Sequence, residues 1–185
     1  MRQFLALVTG PMGAGKTTTA HLVHARLPGV ALIGRDRIKW FVSHFDRTPE
    51  ENRIAMAVLL AMLREYLEQG VSVIVDEGLQ HAGSSAPFFA LAEEHGVALF
   101  AFRIEAPREV LLERIARRPL PEGATRPVPE EMVLANLDAY FVNRLENPTV
   151  AFDSASPGSC ERIAADIVDI LRSGQNMTRP TILEP

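Results

Sequence analysis

A run near the N-terminus carries the residue types that bind phosphate. It matches the pattern G-x4-G-K-[ST] from Gly10 to Thr17, reads Gly10-Pro11-Met12-Gly13-Ala14-Gly15-Lys16-Thr17, and is followed by Thr18, a further candidate for nucleotide binding. Glycines let backbone N–H groups surround a phosphate, and the helix expected next adds partial positive charge. Lys16 is predicted to reach the β- and γ-phosphates of ATP, and the Thr17 hydroxyl to ligate Mg²⁺. The run predicts a P-loop, with a glycine-rich turn that only caps a helix as the alternative.

A second candidate site follows the next apolar run, at Gly34-Arg35-Asp36-Arg37-Ile38-Lys39. Asp36 and Lys39 are three residues apart at an expected helix start, so their side chains share one face. Asp36 is a candidate base for a substrate hydroxyl, and Lys39 a candidate contact to a phosphate of the acceptor or donor. The competing interpretation makes Asp36 an ordinary N-cap of that helix.

Two acidic residues, Asp76 and Glu77, end the third apolar run. An aspartate at this position beside a P-loop is the expected partner of the Mg²⁺ site, so Asp76 is predicted to help hold the ion. The competing interpretation pairs Asp76 with a water-activating Glu77, as in an ATP-hydrolysing motor.

Arginines flank a proline-rich segment in the C-terminal half: Arg114, Arg117, Arg118 and Arg126. Proline prevents helix between residues 118 and 129, so a long loop is predicted there. Guanidinium groups on a closing loop suit the charge that develops during phosphoryl transfer. We therefore expect a lid at about residues 114–130, with Arg114, Arg118 and Arg126 as candidate catalytic groups. Solvated charges on a helix face are the alternative.

Alternating strands and helices must position these groups. Apolar, β-branched runs predict strands, and periodic segments with caps and glycine or proline stops predict helices between them. Strands are predicted at residues 4–8, 30–33, 71–75, 97–104 and 149–152, and helices near 15–28, 36–45, 49–70, 87–95, 107–118, 129–144 and 159–173. This alternation predicts an α/β three-layer sandwich, with a five-stranded parallel sheet between two helical layers.

Length and composition indicate one ordinary globular domain. The chain has 185 residues, of which 47% are hydrophobic and 23% charged. We expect a single domain over residues 1–174 and a flexible tail over 175–185. The single cysteine, Cys160, and the lack of a long apolar run predict a cytoplasmic protein without a membrane span. A formal net charge of −4 disfavours a long nucleic acid as partner.

The order of these features resembles a known kinase family. The P-loop, an Arg-Asp pair whose Asp36 lies 20 positions after Lys16, Asp76, and the run Leu111–Arg118 are similar to the kinase domain of phage-type polynucleotide kinases. They also resemble the related zeta-toxin-like small ATP-dependent kinases, whose domains are AAA-type ATP-binding domains of the kinase type. The resemblance covers about residues 4–173.

The resemblance implies a sheet in the order 2-3-1-4-5, with ATP and Mg²⁺ as cofactors. It also implies that Asp36 is the general base, that the segment from Arg114 to Arg126 is the lid, and that the loop after the fifth strand, around Ser154, approaches adenine. This sequence departs from the family where Lys39 replaces a frequent arginine, and it contains no phosphatase domain.

Three functions stay open from the sequence. The first is a kinase that phosphorylates a hydroxyl of a small molecule or nucleotide. The second uses the same chemistry on a polynucleotide 5′-hydroxyl. The third is an ATP-hydrolysing switch or motor. A motor would depend on Glu77, whereas a kinase would depend on Asp36.

Overall fold

Five parallel strands form one sheet in the computed structural model, which describes residues 1–43, 45, 48–81, 83–119, 128–143, 145 and 148–174. The strands are β1 (Phe4–Thr9), β2 (Ala31–Ile33), β3 (Val73–Asp76), β4 (Ala98–Glu105) and β5 (Val150–Asp153). Their order is β2-β3-β1-β4-β5, and each neighbouring pair is parallel. The predicted strand order is confirmed.

Seven helices connect and cover the strands in the part of the chain that the structure describes. They are α1 (Lys16–His24), α2 (Arg35–Lys39), α3 (Pro49–Glu68), α4 (Ala86–Glu94), α5 (Arg108–Ala116), α6 (Glu130–Asn143) and α7 (Ser159–Ser173). Side chains of α2, α3 and α4 pack in one core cluster, and side chains of α1, α5, α6 and α7 pack in another. The predicted three-layer sandwich is confirmed.

Strand β1 occupies the centre of the sheet and faces both helical layers. Its alternate residues point in opposite directions, so Phe4, Ala6 and Val8 join one core cluster while Leu5 and Leu7 join the other. Every residue of the strand is buried. A strand covered on both faces reads as an uninterrupted apolar run, which is why the sequence identifies it.

Helix α3 begins as its sequence predicts. Thr48 is the N-cap, its side chain accepts a hydrogen bond from the backbone N–H of Glu51, and the Glu51 carboxylate accepts one from the Thr48 N–H. Pro49 occupies the first turn, where a missing N–H costs nothing. This reciprocal cap fixes the residue at which α3 begins.

Helix α2 is much shorter than predicted. The sequence indicates a helix towards residue 45, but α2 ends at Lys39. The backbone N–H groups of Trp40, Phe41 and Val42 bond to carbonyls three residues back instead of four, so the chain tightens into turns. Trp40 then packs edge-on against Phe45, with ring centroids 6.1 Å apart.

Several expectations fall on residues that the structure does not describe. They are Arg126, residues 120–127 of the proline-rich segment, and the tail over 175–185. Within the described part of the chain, no helix has both the length and the apolar character needed to span a bilayer.

Candidate active site

The predicted phosphate-binding loop follows β1 at the carboxyl end of the sheet, where ligands of such folds bind. Gly10 opens it, with a φ of 147°. A Cβ at Gly10 would lie 2.0 Å from the carbonyl oxygen of Ile104 on β4, a distance that no real side chain tolerates. Only glycine therefore lets the loop leave the sheet this close to β4.

Lys16 folds back over the loop that it ends. Its ammonium donates a hydrogen bond to the carbonyl oxygen of Pro11 at 3.2 Å, and the backbone N–H of Ala14 bonds to the same oxygen at 3.3 Å. The loop therefore closes on itself with its lysine across the opening. The N-terminus of α1 begins at Lys16 and brings its unpaired N–H groups to the same place.

Thr17 and Asp76 meet at the edge between α1 and β3. The Thr17 hydroxyl donates a hydrogen bond to a carboxylate oxygen of Asp76 at 2.6 Å. A hydroxyl and a carboxylate are the oxygen ligands that Mg²⁺ accepts, and Mg²⁺ usually keeps several waters and substrate phosphates besides. The described residues contain no group of three or more His, Cys, Asp and Glu that could hold a metal. This pair fits the predicted Mg²⁺ site.

Asp36 does not cap α2. The N-cap is Gly34, and no side chain accepts a capping hydrogen bond at this end of the helix, so the N-cap interpretation of Asp36 is wrong. The cause is that α2 begins at Arg35, one residue before Asp36, which places the carboxylate inside the first turn. Its side chain is 90% exposed and accepts a hydrogen bond from the Lys39 ammonium at 2.9 Å.

Positive charge controls the protonation of Asp36. Nearby protein atoms displace some of the water around its carboxyl group, which would raise its pKa, but the positive charges of Lys39, Lys16 and Arg35 outweigh that effect and hold the pKa below its usual range. The carboxylate is thus open to solvent yet surrounded by protein charges, as on the wall of an open cleft. The influence of Lys16 brings the second candidate site into the electrostatic reach of the P-loop.

The environment of Lys39 differs from the one expected of a residue that contacts a phosphate of the acceptor or donor. Its side chain is only 11% exposed, because it lies between the Asp36 carboxylate and the ring of Phe45, whose centroid is 5.9 Å from the ammonium. A lysine bound on both sides is a fixed neighbour of Asp36. Its positive charge therefore stabilises mainly the Asp36 carboxylate and not a group of the substrate.

Glu77 is buried in contact with Arg35, the residue that precedes Asp36. Its side chain is 7% exposed, and its Oε1 accepts hydrogen bonds from the Arg35 guanidinium at 2.9 Å and from the backbone N–H of Gly78 at 3.2 Å. Burial and the nearby Asp36 raise the pKa of Glu77, although Arg35 and Lys39 oppose them. A carboxylate held in a buried ion pair is poorly placed to activate a water molecule.

Arg114 connects the P-loop to the loop after β5. Its guanidinium donates hydrogen bonds to the carbonyl oxygens of Ser154 at 2.6 Å, Ala155 at 3.1 Å and Gly13 at 3.5 Å. The residue therefore holds the backbone of the two loops together, whereas the sequence suggests a donor on the lid. Arg118 lies exposed beyond the end of α5.

The sequence does not reveal the two arginine contacts that organise the site. In the sequence, Arg35 is notable only as the neighbour of Asp36, and its partner Glu77 is 42 positions away. Ser154, whose carbonyl oxygen Arg114 binds, is 40 positions from Arg114. Ser154 is expected near adenine only by resemblance. It is fully buried, and its hydroxyl lies 2.9 Å from the carbonyl oxygens of Ala14 and Glu105.

Comparison with known proteins supports the same fold. The family described as "AAA domain" matches residues 5–142. The adenylyl-sulfate kinase of Myxococcus xanthus (strain DK1622) is 30% identical over 117 residues. That match covers 60% of this chain and 62% of the relative, so it spans less than two thirds of the relative's length.

Two solved structures are similar over nearly the whole chain. The Mycobacterium tuberculosis APS kinase CysC, in complex with AMPPNP and APS, has a TM-score of 0.68 at 17% identity, and the match covers 92% of this chain and 98% of that one. The tunicamycin resistance protein of Deinococcus radiodurans has a TM-score of 0.63 at 22% identity, with 94% and 96% covered. At these identities the likeness shows the fold alone.

Proposed function

Because this chain belongs to the AAA domain family, we propose that it is an ATP-dependent kinase that transfers the γ-phosphoryl group to a hydroxyl of a small molecule or nucleotide. Support comes from a relative and a fold neighbour whose names are those of kinases. The site residues support the same proposal.

One observation carries the proposal: Asp36 is the exposed carboxylate that the charge of the P-loop lysine reaches. Its side chain is 90% exposed, and Lys16 lowers its pKa. A base must be ionised and accessible to take a proton from an alcohol. Asp36 meets both requirements, and in the proposed complex the γ-phosphate of ATP lies beside it.

The proposed reaction uses groups of this chain at each step. The P-loop N–H groups bind the β- and γ-phosphates, and Lys16 stabilises the negative charge that develops on the transferred group. Asp36 orients the acceptor hydroxyl and takes its proton as the acceptor oxygen bonds to the γ-phosphorus. The bond from the γ-phosphorus to the bridging oxygen breaks, and ADP leaves. Mg²⁺, held by Thr17 and Asp76, would neutralise phosphate charge when bound.

The motor alternative is weaker than the kinase. It requires Glu77 to reach an attacking water, but the side chain of Glu77 is buried and bonded to Arg35. The polynucleotide alternative uses the same Asp36 chemistry. It rests on the sequence resemblance, and the net charge of −4 does not favour it.

The decisive experiment measures acceptor-dependent ADP release with ATP and Mg²⁺ for the wild type, Asp36→Asn and Lys16→Ala. We expect Asp36→Asn to lose about 10²- to 10⁴-fold in turnover. It should still bind ATP, because the P-loop is unchanged. Lys16→Ala should lose turnover as well. Normal acceptor phosphorylation by Asp36→Asn, or ATP hydrolysis that no acceptor stimulates, would contradict the proposal.

A further inference from the structure

The cations around Asp36 already have partners within the protein. Among the described residues 34–43, Arg35 donates to Glu77, Lys39 to Asp36, and Arg37 to the ring of His21 on α1, each at 2.9 Å. Two of these three partners are carboxylates, which neutralise the charge that they contact. An acidic acceptor would therefore meet carboxylates and already bound cations in this segment.

Glu77 retains one unused hydrogen-bond acceptor. Its Oε1 is bound by Arg35 and by the Gly78 N–H, but its Oε2 is buried without a hydrogen-bond partner among the described residues. The whole residue is 6% exposed. A buried polar atom without a partner is costly, so such an oxygen calls for a donor that a ligand can supply. A hydroxyl group can donate without bringing charge.

Arg35 connects Glu77 to the segment that carries Asp36. Its guanidinium donates a hydrogen bond to Oε1 of Glu77 at 2.9 Å, and Asp36 is the next residue along the chain. A Cβ at Gly34 would lie 2.8 Å from the carbonyl oxygen of Asp76, so the backbone just before Asp36 lies against the backbone just before Glu77, with the first carboxylate exposed and the second buried. A compound with two adjacent hydroxyls would meet both.

The backbone after Glu77 is held in place from two sides. The Thr9 hydroxyl donates to the carbonyl oxygen of Gly78 at 2.8 Å, and the Gln80 side-chain amide donates to Asn136 on α6 at 3.2 Å. Between them, Leu79 has a φ of 50° while its side chain is buried. A branched side chain adopts this conformation only where its surroundings enforce it. The position of Glu77 is thus fixed before a substrate arrives.

We infer that the acceptor is an uncharged compound with a second hydroxyl beside the phosphorylated one, and that this second hydroxyl donates a hydrogen bond to Oε2 of Glu77. This inference rests on the proposed function and deepens it. Asp36 takes the proton of the reacting hydroxyl, and Glu77 positions the acceptor by binding its neighbour. No bond to Glu77 forms or breaks during the transfer.

The first test isolates the charge of the acceptor. Shikimate, quinate and glucuronate are each compared with their methyl esters, together with uridine and glucose, by acceptor-dependent ADP release. We expect the neutral compounds to include the substrates, and each ester to exceed its acid by at least about tenfold in kcat/KM, a difference of about 1.4 kcal/mol. Preference for an acid over its ester would overturn the inference and leave the kinase function standing. Phosphorylation of none of them, with ATP bound, would contradict the kinase function too.

The second test asks whether Glu77 reads the second hydroxyl. The best neutral acceptor is compared with its deoxy analogue, such as uridine with 2′-deoxyuridine, in the wild type and Glu77→Gln. We expect the wild type to lose about 10- to 100-fold in kcat/KM on the analogue, the range for a hydrogen bond to a charged group. Glu77→Gln should lose much less between the two acceptors.

A purely structural role of Glu77 gives a different pattern. If Glu77 only supports the fold, Glu77→Gln lowers activity on both acceptors by the same factor, and the inference is wrong. Glu94→Gln is the matched control, because it removes a carboxylate that pairs with Arg64 on the outside of the molecule. If Glu77→Gln does not fold, Glu77→Asp, which withdraws the oxygens by one methylene, should give the same selective loss.

Discussion

The ammonium of Lys39 lies 2.9 Å from the carboxylate of Asp36, one turn further along α2. The lysine is almost fully covered, whereas the aspartate is open to solvent. The pair therefore joins a fixed cation to an accessible base. Since Lys39 favours the charged form of Asp36, it sets the pH range in which the base can work.

The pH dependence of the reaction tests this pairing. Asp36 acts only when it is ionised, so kcat/KM should fall as the pH drops through the pKa of Asp36. Lys39→Met removes the ammonium that lowers this pKa, and the acidic limb of the profile should move to higher pH. Lys39→Arg keeps the charge and should leave the limb near its original position. An acidic limb that is the same for wild type and Lys39→Met would contradict Asp36 as the titrating base.

The requirement for Mg²⁺ tests the contact between Thr17 and Asp76. Asp76→Asn keeps the shape of the side chain but removes the charge that the Thr17 hydroxyl contacts at 2.6 Å. Loss of a group that orients a metal ligand typically costs about 10- to 100-fold in metal affinity or activity. We expect the Mg²⁺ concentration for half-maximal activity to rise by that factor. Asp138→Asn, on the surface of α6, is the control and should behave like the wild type.

The kinetic effect of Arg114→Ala distinguishes a role of Arg114 in holding the loops from a role only in the transition state. Because its guanidinium holds the carbonyls of Gly13, Ser154 and Ala155, Arg114→Ala should loosen both loops and raise KM for ATP. The free energy of unfolding should fall by about 1–3 kcal/mol. A group that acts only in the transition state would instead lower kcat and leave ATP affinity unchanged.

The neighbouring Arg117 provides the control for Arg114. It pairs with Glu113 one turn back, and its side chain is 79% exposed. Arg117→Ala should change the free energy of unfolding by less than about 0.5 kcal/mol and leave both kinetic constants unchanged. Steady-state kinetics and urea denaturation of the two variants test the assignment.

Two glycines with positive φ should respond very differently to alanine. Gly29 has a φ of 77°, and no atom lies within 4 Å of the place that a Cβ would occupy, so Gly29→Ala should cost only the backbone conformation, about 1–2 kcal/mol. Gly10→Ala would also force a methyl group against the backbone of Ile104, and should cost about 3 kcal/mol or more. Urea denaturation measures both, and only Gly10→Ala should lose ATP binding. Equal costs would mean that the close approach to β4 is relaxed easily.

The parts of the molecule that depend on local chemistry are predictable from the sequence. β1 and the P-loop follow from an unbroken apolar run and a glycine pattern, and the start of α3 follows from the Thr48 capping box. The shared face of Asp36 and Lys39 follows from their spacing, and the 2.9 Å contact confirms it. The order of the strands follows from the family resemblance.

The remaining features depend on contacts that local sequence does not encode. The early end of α2 comes from the turns at residues 40–42 and the packing of Trp40 on Phe45. The burial of Glu77 depends on Arg35, which lies 42 positions earlier in the sequence, before α3 and β3. The positive φ of Leu79 could not be predicted, because leucine rarely adopts the left-handed conformation that glycine and asparagine favour. The contact between Arg35 and Glu77 forms only when the segment after β2 and the end of β3 have been brought together.

The central position of β1 also determines when the nucleotide site can form during synthesis. β1 leaves the ribosome before its partners β3 and β4, with Leu5 paired to Val73 and Phe4 to Ala98. Until those strands emerge, the apolar strand has nothing to pair with, and distant pairing of this kind folds slowly. Gly10 rests against Ile104, so the P-loop gains its wall only when β4 is complete. Nascent chains that end before β4 should therefore fail to hold ATP and should need protection from aggregation.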